Sequence, residues 1–166
     1  MIGIILEKAE EKAAYIFKIL FGIMGFEYYF IDAKDGKNYP VTVYYGNSNS
    51  NCSIQIPRSD DFIGKIGKGP YKKTGRKVIF DIDLISLSFF LLTRQEEIEN
   101  KKRDEHERFD HSEPVLKEFI KVPIIDNYIR HLEGLIIEGL GKQNLPILKK
   151  AHWPKGEELA VSLTHD

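Results

Sequence analysis

Residues 84–92, Leu-Ile-Ser-Leu-Ser-Phe-Phe-Leu-Leu, offer almost no polar side for water to meet. A helix that is apolar nearly all round cannot lie on a surface and has to be enclosed by other elements. The spacing predicts one helix over 83–99, with its first three turns buried and its end, over 94–99, abruptly charged. Asp81 or Asp83 stands where a carboxylate can cap the helix and complement its dipole. The remaining chain must therefore provide the walls.

The chain can provide them. It has 166 residues, 42% hydrophobic and 30% charged, which suits a soluble globular protein with a core of its own. A net charge of −1 creates no general attraction for nucleic acid or a membrane surface. Cys52 is the single cysteine, so neither an internal disulfide framework nor a thiolate metal cluster can form. That usage fits a reducing compartment, and a cytoplasmic location is the expectation.

Residues 2–24 place Ile5, Leu6, Ala9, Ala13, Ile16, Phe17, Leu20 and Met24 at three- and four-residue spacings, which predicts a first helix. Glu7, Lys8, Glu10, Glu11 and Lys12 interrupt its apolar character early, unlike a secretion signal or membrane anchor. Strands are expected over 26–31, 41–45, 53–56 and 77–80. The third alternates polar and apolar, so one face should be wet; the fourth is continuously apolar and should be more central. A short helix is expected over 114–120, opened by Ser112 and Pro114, and a long one over 124–140, ended by Gly141. His131 lies beside the apolar stripe of that last helix and reads as a rim residue. Strands segregated from helices imply an α+β domain, a small sheet of about four strands covered by three main helices. A three-layer α/β arrangement is the alternative, since the first helix could serve as a crossover. Residues 142–156, with Pro146, Trp153 and Pro154, read as a connector. Two units follow: 1–150 as the main domain, and 151–166 as connector plus the first strand of something further.

Two charged stretches need weighing. Residues 64–77 hold four glycines with Lys65, Lys68, Lys72, Lys73, Arg76 and Lys77, and no acid. The glycine spacing suits a phosphate loop, but Pro70-Tyr71 stand where Lys-Ser/Thr is required. A solvated, mobile loop is the leading reading; contact with an anionic glycan or a following domain comes second, and nucleic acid last, since the whole chain is not basic. The second stretch, 94–113, pairs basic and acidic residues closely. Arg94, Arg103 and Arg108 held by Glu97 and Asp104 would make an ion-pair network, or an interdomain surface. His106 and His111 would be needed for a metal site, but a turn-rich segment does not give them a helical ligand spacing.

The last residues, Ala160-Val161-Ser162-Leu163-Thr164-His165-Asp166, read as an apolar strand running into three reactive side chains. This ending resembles the first motif of the polysaccharide deacetylases, the nodulation-factor-deacetylase superfamily, one branch of which reads Thr-His-Asp-Val-Asp. A second stretch is similar to the uncharacterised domain that precedes that catalytic domain: Asp81-Ile82-Asp83-Leu84, Phe89 through Glu97, Arg103-Asp104-Glu105-His106 and Arg108-Phe109. Val122-Pro123-Ile124-Ile125-Asp126 and Trp153-Pro154 fit the same pattern, so the resemblance covers roughly 78–166.

The resemblance implies a non-catalytic N-terminal domain of a metal-dependent carbohydrate deacetylase, ending at the first catalytic motif. Asp166 would be the general base of the completed enzyme, activating a metal-bound water against an acetyl carbonyl. The second aspartate of the motif and the family's His-x-x-x-His pair have no counterpart here. The chain as given is therefore expected to be an inactive fragment without a cofactor, the divalent ion, such as zinc, belonging to the complete enzyme. Expected partners are the catalytic domain in cis or in trans, a glycan, and a second copy of the chain. A free-standing carbohydrate- or protein-binding adaptor is the alternative.

Overall fold

The chain begins with a strand. In the computed structural model, which describes residues 1–48, 51–67, 69–109, 121–151, 153–157 and 161, Ile2–Leu6 forms β1. The expected helix over 2–24 is confined to α1, Glu11–Met24. Ile2, Ile4 and Ile5 are all buried although they alternate between faces, and a strand covered on both sides accommodates this where an amphipathic helix does not. The helical period takes hold only from Ala13, through Ile16, Phe17, Leu20 and Met24, all buried. Gly25 ends α1 in the left-handed region at φ 75°, its N–H donating to the Phe21 carbonyl at 2.9 Å.

Five further strands follow: β2 Tyr28–Phe30, β3 Val41–Tyr45, β4 Ile54–Ile56, β5 Tyr71–Thr74 and β6 Lys77–Phe80. They make a six-stranded sheet in the order β2-β1-β3-β4-β6-β5. Every pairing is parallel except β5 with β6. The expected four strands become six because β1 was hidden in a helical pattern and β5 in the Gly/Lys-rich stretch. That stretch is thus not simply a solvated loop. Its β5 half forms a hairpin with β6, turning at Gly75, and among the described residues its charged outer edge faces no further strand. Lys72 reaches Asp81 at 3.1 Å and Lys73 reaches Glu138 at 3.0 Å.

Alternation divides the sheet. Ile2, Ile4, Val41, Val43, Tyr45, Ile54, Ile56 and Phe80 share one cluster with α1, with α2 (Leu84–Leu92) and with α4 (Ile124–Gly141). On the opposite face Ile5, Tyr44 and Cys52 pack with Ile31, beside the 3-10 segment Ala33–Asn38. The result is a mixed α+β domain, a six-stranded sheet with several helices.

Three expectations change in detail. Gln55, on the predicted wet face of the third strand, is only 7% exposed, its side-chain amide donating to the Gly46 carbonyl at 2.7 Å. The helix over 83–99 breaks at Arg94, φ 55°, into α2 and α3, Gln95–Glu99. The Thr93 hydroxyl donates back to the Phe89 carbonyl at 2.6 Å where α2 ends. Burial of α2 covers only its beginning: Leu84 and Leu87 are inaccessible, whereas Leu92 is 46% exposed. The fourth strand, β6, lies one place from the sheet edge, and of its residues only Phe80 is fully buried. The stripe Tyr128, Ile129, Leu132, Leu135, Ile136 and Leu140 on α4 is buried as the periodicity requires. His131 is exposed and stands edge-on to the Tyr71 ring, 5.9 Å between centroids. The connector folds back on the domain, the Lys150 N–H donating to the Gly25 carbonyl at 2.7 Å. The helix expected over 114–120 and the strand over 159–163 fall on residues outside those described, apart from Val161, which is exposed.

Candidate functional site

β1 connects to β2 on one side of it, while β3 connects to β4 on the other, so the sheet's winding reverses between β1 and β3. In open parallel sheets such a reversal leaves a crevice beyond the carboxyl ends of the strands, where the connecting segments diverge. Polar residues follow each of these strands at that end. Glu7 follows β1. Its carboxylate accepts from the N–H groups of Asn47 and Ser48 at 3.1 and 3.0 Å, and from the Ser48 hydroxyl. The Ser48 hydroxyl, then the Asn47 N–H, hold the Glu7 carboxyl down to about 2. Gly46 is needed beneath this contact, since a Cβ there would lie 2.5 Å from the Glu7 Cβ.

The segment after β3 is clamped to the segment after β4. Asn47 donates its amide to the Arg58 carbonyl at 2.9 Å and accepts from the Arg58 N–H at 3.0 Å. This fixes Arg58, whose guanidinium donates to Glu10 at 2.6 Å and lies 5.4 Å from the centre of the Tyr45 ring. The second terminal nitrogen, Nη1, is buried without a hydrogen-bond acceptor. Burial opposes the Arg58 charge, but Glu10, Tyr45 and Asp83 outweigh it and hold the proton more tightly than usual.

After β6 comes Asp83, 1% exposed. One carboxylate oxygen accepts from the Ser86 N–H at 2.8 Å, capping α2. The other accepts from the Ser86 hydroxyl at 2.8 Å, the Ser59 N–H at 3.0 Å and the Tyr45 hydroxyl at 3.1 Å. Of the two candidate caps, Asp83 therefore does the capping, and Asp81 pairs with Lys72. Tyr45 stays protonated well above the usual tyrosine range, chiefly through burial.

Glu10, Tyr45, Arg58, Ser59, Asp83 and Ser86 floor a crevice of about 280 Å³. Phe62, Phe89 and Phe90 form an aromatic wall, with Phe62 and Phe90 tilted at 57° and 5.7 Å apart. Asp60, Gln95 and Glu99 stand around it, and Lys12 lies 5.1 Å over the Phe89 ring. The floor is hydrogen-bonded throughout except at Arg58 Nη1; Asp60 and Glu99 on the rim are exposed. Such a site can bind and orient.

Of the sequence-derived candidates, Arg94, Glu97, Arg103, Asp104 and Arg108 do not line this crevice. Arg94 and Glu97 form a two-pronged pair, its Nε to Oε1 bond 2.7 Å. Arg108 meets Asp104 at 2.9 Å, and Asp104 also accepts from the N–H groups of His106 and Arg108, both at 2.9 Å. Arg103 departs from the expected network: it donates to the carbonyls of Glu97, Asn100 and Lys102 at 2.7–3.0 Å, closing the end of α3. Among the described residues these contacts make two ion pairs and a backbone clamp. His106 is exposed beside Glu105 at 3.4 Å. His111, Thr164, His165 and Asp166 lie outside the described residues. Among the described residues, no three His, Cys, Asp or Glu side chains converge as a metal requires, so the divalent ion that the resemblance implies finds no matching donor set there. Among the described residues, no helix is long and apolar enough to cross a membrane.

Glu7, Glu10, Tyr45, Arg58 and Ser59 were not singled out from the sequence. The signal was present: a polar cluster follows every apolar strand. Reading it requires recognising β1 and the parallel pairing.

Fold and site thus define a mixed α+β domain whose largely parallel sheet holds a polar and aromatic crevice at its carboxyl edge. Residues 2–139 match the model of a family of unknown function, DUF7033, and the chain belongs to that family. No curated protein and no solved structure matches it.

Proposed function

We propose that this chain is the non-catalytic domain of a polysaccharide deacetylase-like protein, and that it orients a carbohydrate for a catalytic barrel acting in cis or in trans. The observation that carries the reading is where the resembling segment lies. Asp83, Ser86, Phe89, Phe90 and Gln95, from the stretch that resembles the domain in front of such barrels, build one side of the crevice. An internally bonded floor supports binding over catalysis. Asp83 already accepts four hydrogen bonds, and Arg58 and Glu10 hold each other, so neither carboxylate is placed to take a substrate proton. Asp166 would serve as general base within the barrel.

The test is acetate release from an acetylated oligosaccharide, with zinc content measured in parallel. The chain alone should hold no stoichiometric zinc and release no acetate. Added to a deacetylase barrel of the Thr-His-Asp branch, it should lower KM and leave kcat nearly unchanged, as uniform binding does. Acetate release by the purified chain with stoichiometric zinc would overturn the reading. So would a barrel whose kinetics do not respond. A free-standing adaptor would bind sugar or protein with no effect on any barrel.

A further inference from the structure

We propose that the β2 edge of the sheet pairs with the β2 edge of a second copy of this chain, antiparallel across a two-fold axis at Tyr29. The two edges of the sheet are built differently. The β5 edge presents Lys72 and Lys73, and lysines guard an edge against a further strand. The β2 edge presents Tyr28, Tyr29 and Phe30, none of them charged, with Tyr29 43% and Phe30 45% exposed. Its backbone is open as well. The Glu27 carbonyl accepts from the Ile2 N–H at 3.2 Å, and the Ile31 N–H donates to the Ile4 carbonyl at 2.9 Å. Alternation then turns the N–H and C=O groups of Tyr28 and Phe30 away from β1. Among the described residues no backbone group meets them there. An uncharged edge with open donors and acceptors is a template for strand addition.

Charge selects the strand that is added. At the Phe30 end a shallow hollow of about 930 Å³ is lined by Asp32 and Asp35 and by no cation. Asp32 meets Lys34 at 3.4 Å, but both side chains are fully in solvent. At the Tyr28 end a hollow of about 480 Å³ is lined by Lys18, Lys149 and Lys150 against Glu27 alone. Lys149 is held by Glu133 and lies 5.5 Å over the Phe26 ring; Lys18 and Lys150 make no ion pair among the described residues. The edge is thus acidic at one end and basic at the other. An antiparallel second copy sets each acidic end against a basic one, whereas a parallel copy would set lysines on lysines. With Tyr29 facing Tyr29 across the axis, Tyr28 of one copy exchanges two N–H···O bonds with Phe30 of the other. In the same register Asp32 of one copy faces Phe26 of the other, beside the lysines. The aromatic run Phe21, Tyr28, Phe30, spaced 4.8 and 5.6 Å between centroids, continues across the axis. None of these residues lines the crevice, so this contact and the carbohydrate reading stand or fall separately.

The experiment is sedimentation equilibrium of the intact chain from roughly 1 to 500 μM, where a small interface of this kind should give a reversible dimer. Hydrogen exchange at the two ends of that range reads the register. The Tyr28 and Phe30 amides should slow in the dimer, while those of Tyr29 and Ile31, already turned to β1, should not change. Tyr29→Lys and Tyr29→Glu each place like charges on the axis and should raise Kd at least about tenfold. An equimolar mixture of the two should regain the parent's affinity as a heterodimer. At about 1 μM, where the chain is monomeric, urea unfolding of both variants should match the parent, since the Tyr29 side chain stands in solvent. Lys72→Ala, at the other edge, should leave the dimer unchanged. A monomer throughout the range, a dimer indifferent to both Tyr29 variants, or a mixture that stays monomeric would each overturn the proposal. So would concentration-dependent protection at β5 in place of Tyr28 and Phe30.

Discussion

Replacing Asp83 tests the most deeply placed group of the crevice. Its carboxylate accepts four hydrogen bonds from Ser86 N–H, Ser86 Oγ, Ser59 N–H and Tyr45 OH, at 1% exposure. In Asp83→Ala the two hydroxyls can turn to one another, since Tyr45 Oη and Ser86 Oγ already lie 3.4 Å apart. The two N–H groups cannot be rescued in this way. The lost cap costs about 1 kcal/mol, and the stranded Ser59 donor about 1–3 kcal/mol. Loss of the charged acceptor for Tyr45 adds roughly another 1 kcal/mol. The total is about 3–5 kcal/mol. Asp83→Asn keeps the shape and one acceptor oxygen but turns a donor toward Ser59, and should cost about 2 kcal/mol. With a urea slope near 2 kcal/mol per molar, the midpoint should fall by about 2 M for alanine and about 1 M for asparagine. A loss under about 1 kcal/mol for alanine would refute the claim that this carboxylate organises the carboxyl edge.

Further predictions follow from other contacts. Gly25→Ala forces a left-handed residue to carry a Cβ 2.5 Å from the Lys150 carbonyl; it should cost roughly 1–3 kcal/mol and expose residues 145–150 to proteolysis, measurable by urea unfolding and limited digestion. Glu7 is depressed by Ser48 and Asn47, so its contribution is present above about pH 4.5 and is lost as pH falls toward 2; the protection of the Asn47 and Ser48 amides against hydrogen exchange, relative to their intrinsic rates, should fall over that window, and Glu7→Gln should remove the dependence. Tyr45 is raised by burial, so its phenol should ionise after the exposed tyrosines in an ultraviolet titration, and the fold should weaken as pH climbs past 10, where the unfolded chain loses the proton first. Arg94→Ala removes an exposed pair and should change stability by less than about 1 kcal/mol. Arg103→Ala removes three solvent-exposed bonds to the carbonyls of Glu97, Asn100 and Lys102 and should cost about 1 kcal/mol in urea unfolding, since water can replace the donor.

The helices were readable where one period ran unbroken: the buried stripe of α4 is the stripe its spacing shows. β3 and β6 were readable because a short apolar run between turn residues has few other solutions. β1 was not, since Ile5, Leu6 and Ala9 continue the spacing of α1 into a strand, and single-chain periodicity cannot separate the two over so few residues. β5 carried little apolar signal beyond Tyr71: Lys72 and Lys73 owe their strand conformation to pairing with Ile79 and Val78. Gln55 looked solvent-facing because its cover, the segment after β3, is supplied by contacts distant in sequence. The crevice shared this fate. Tyr45, Arg58 and Asp83 are far apart along the chain, and only parallel pairing brings the strand ends together. In the arginine-rich stretch the Arg94–Glu97 and Arg108–Asp104 pairs follow from the charge pattern, whereas the bonds from Arg103 to backbone carbonyls carry no side-chain signal.

The central claim is that the crevice bounded by residues 58–62 and 83–99 is the working face of this domain toward a carbohydrate and its barrel. Hydrogen exchange on the chain, alone and with a deacetylase barrel plus acetylated oligosaccharide, measures this directly. The account predicts slowed exchange at Ser59, Phe62, Phe90 and Gln95, with β5 and the 3-10 segment Ala33–Asn38 unchanged. Protection confined to the β2 edge or to β5, with those crevice amides unaffected, would contradict it.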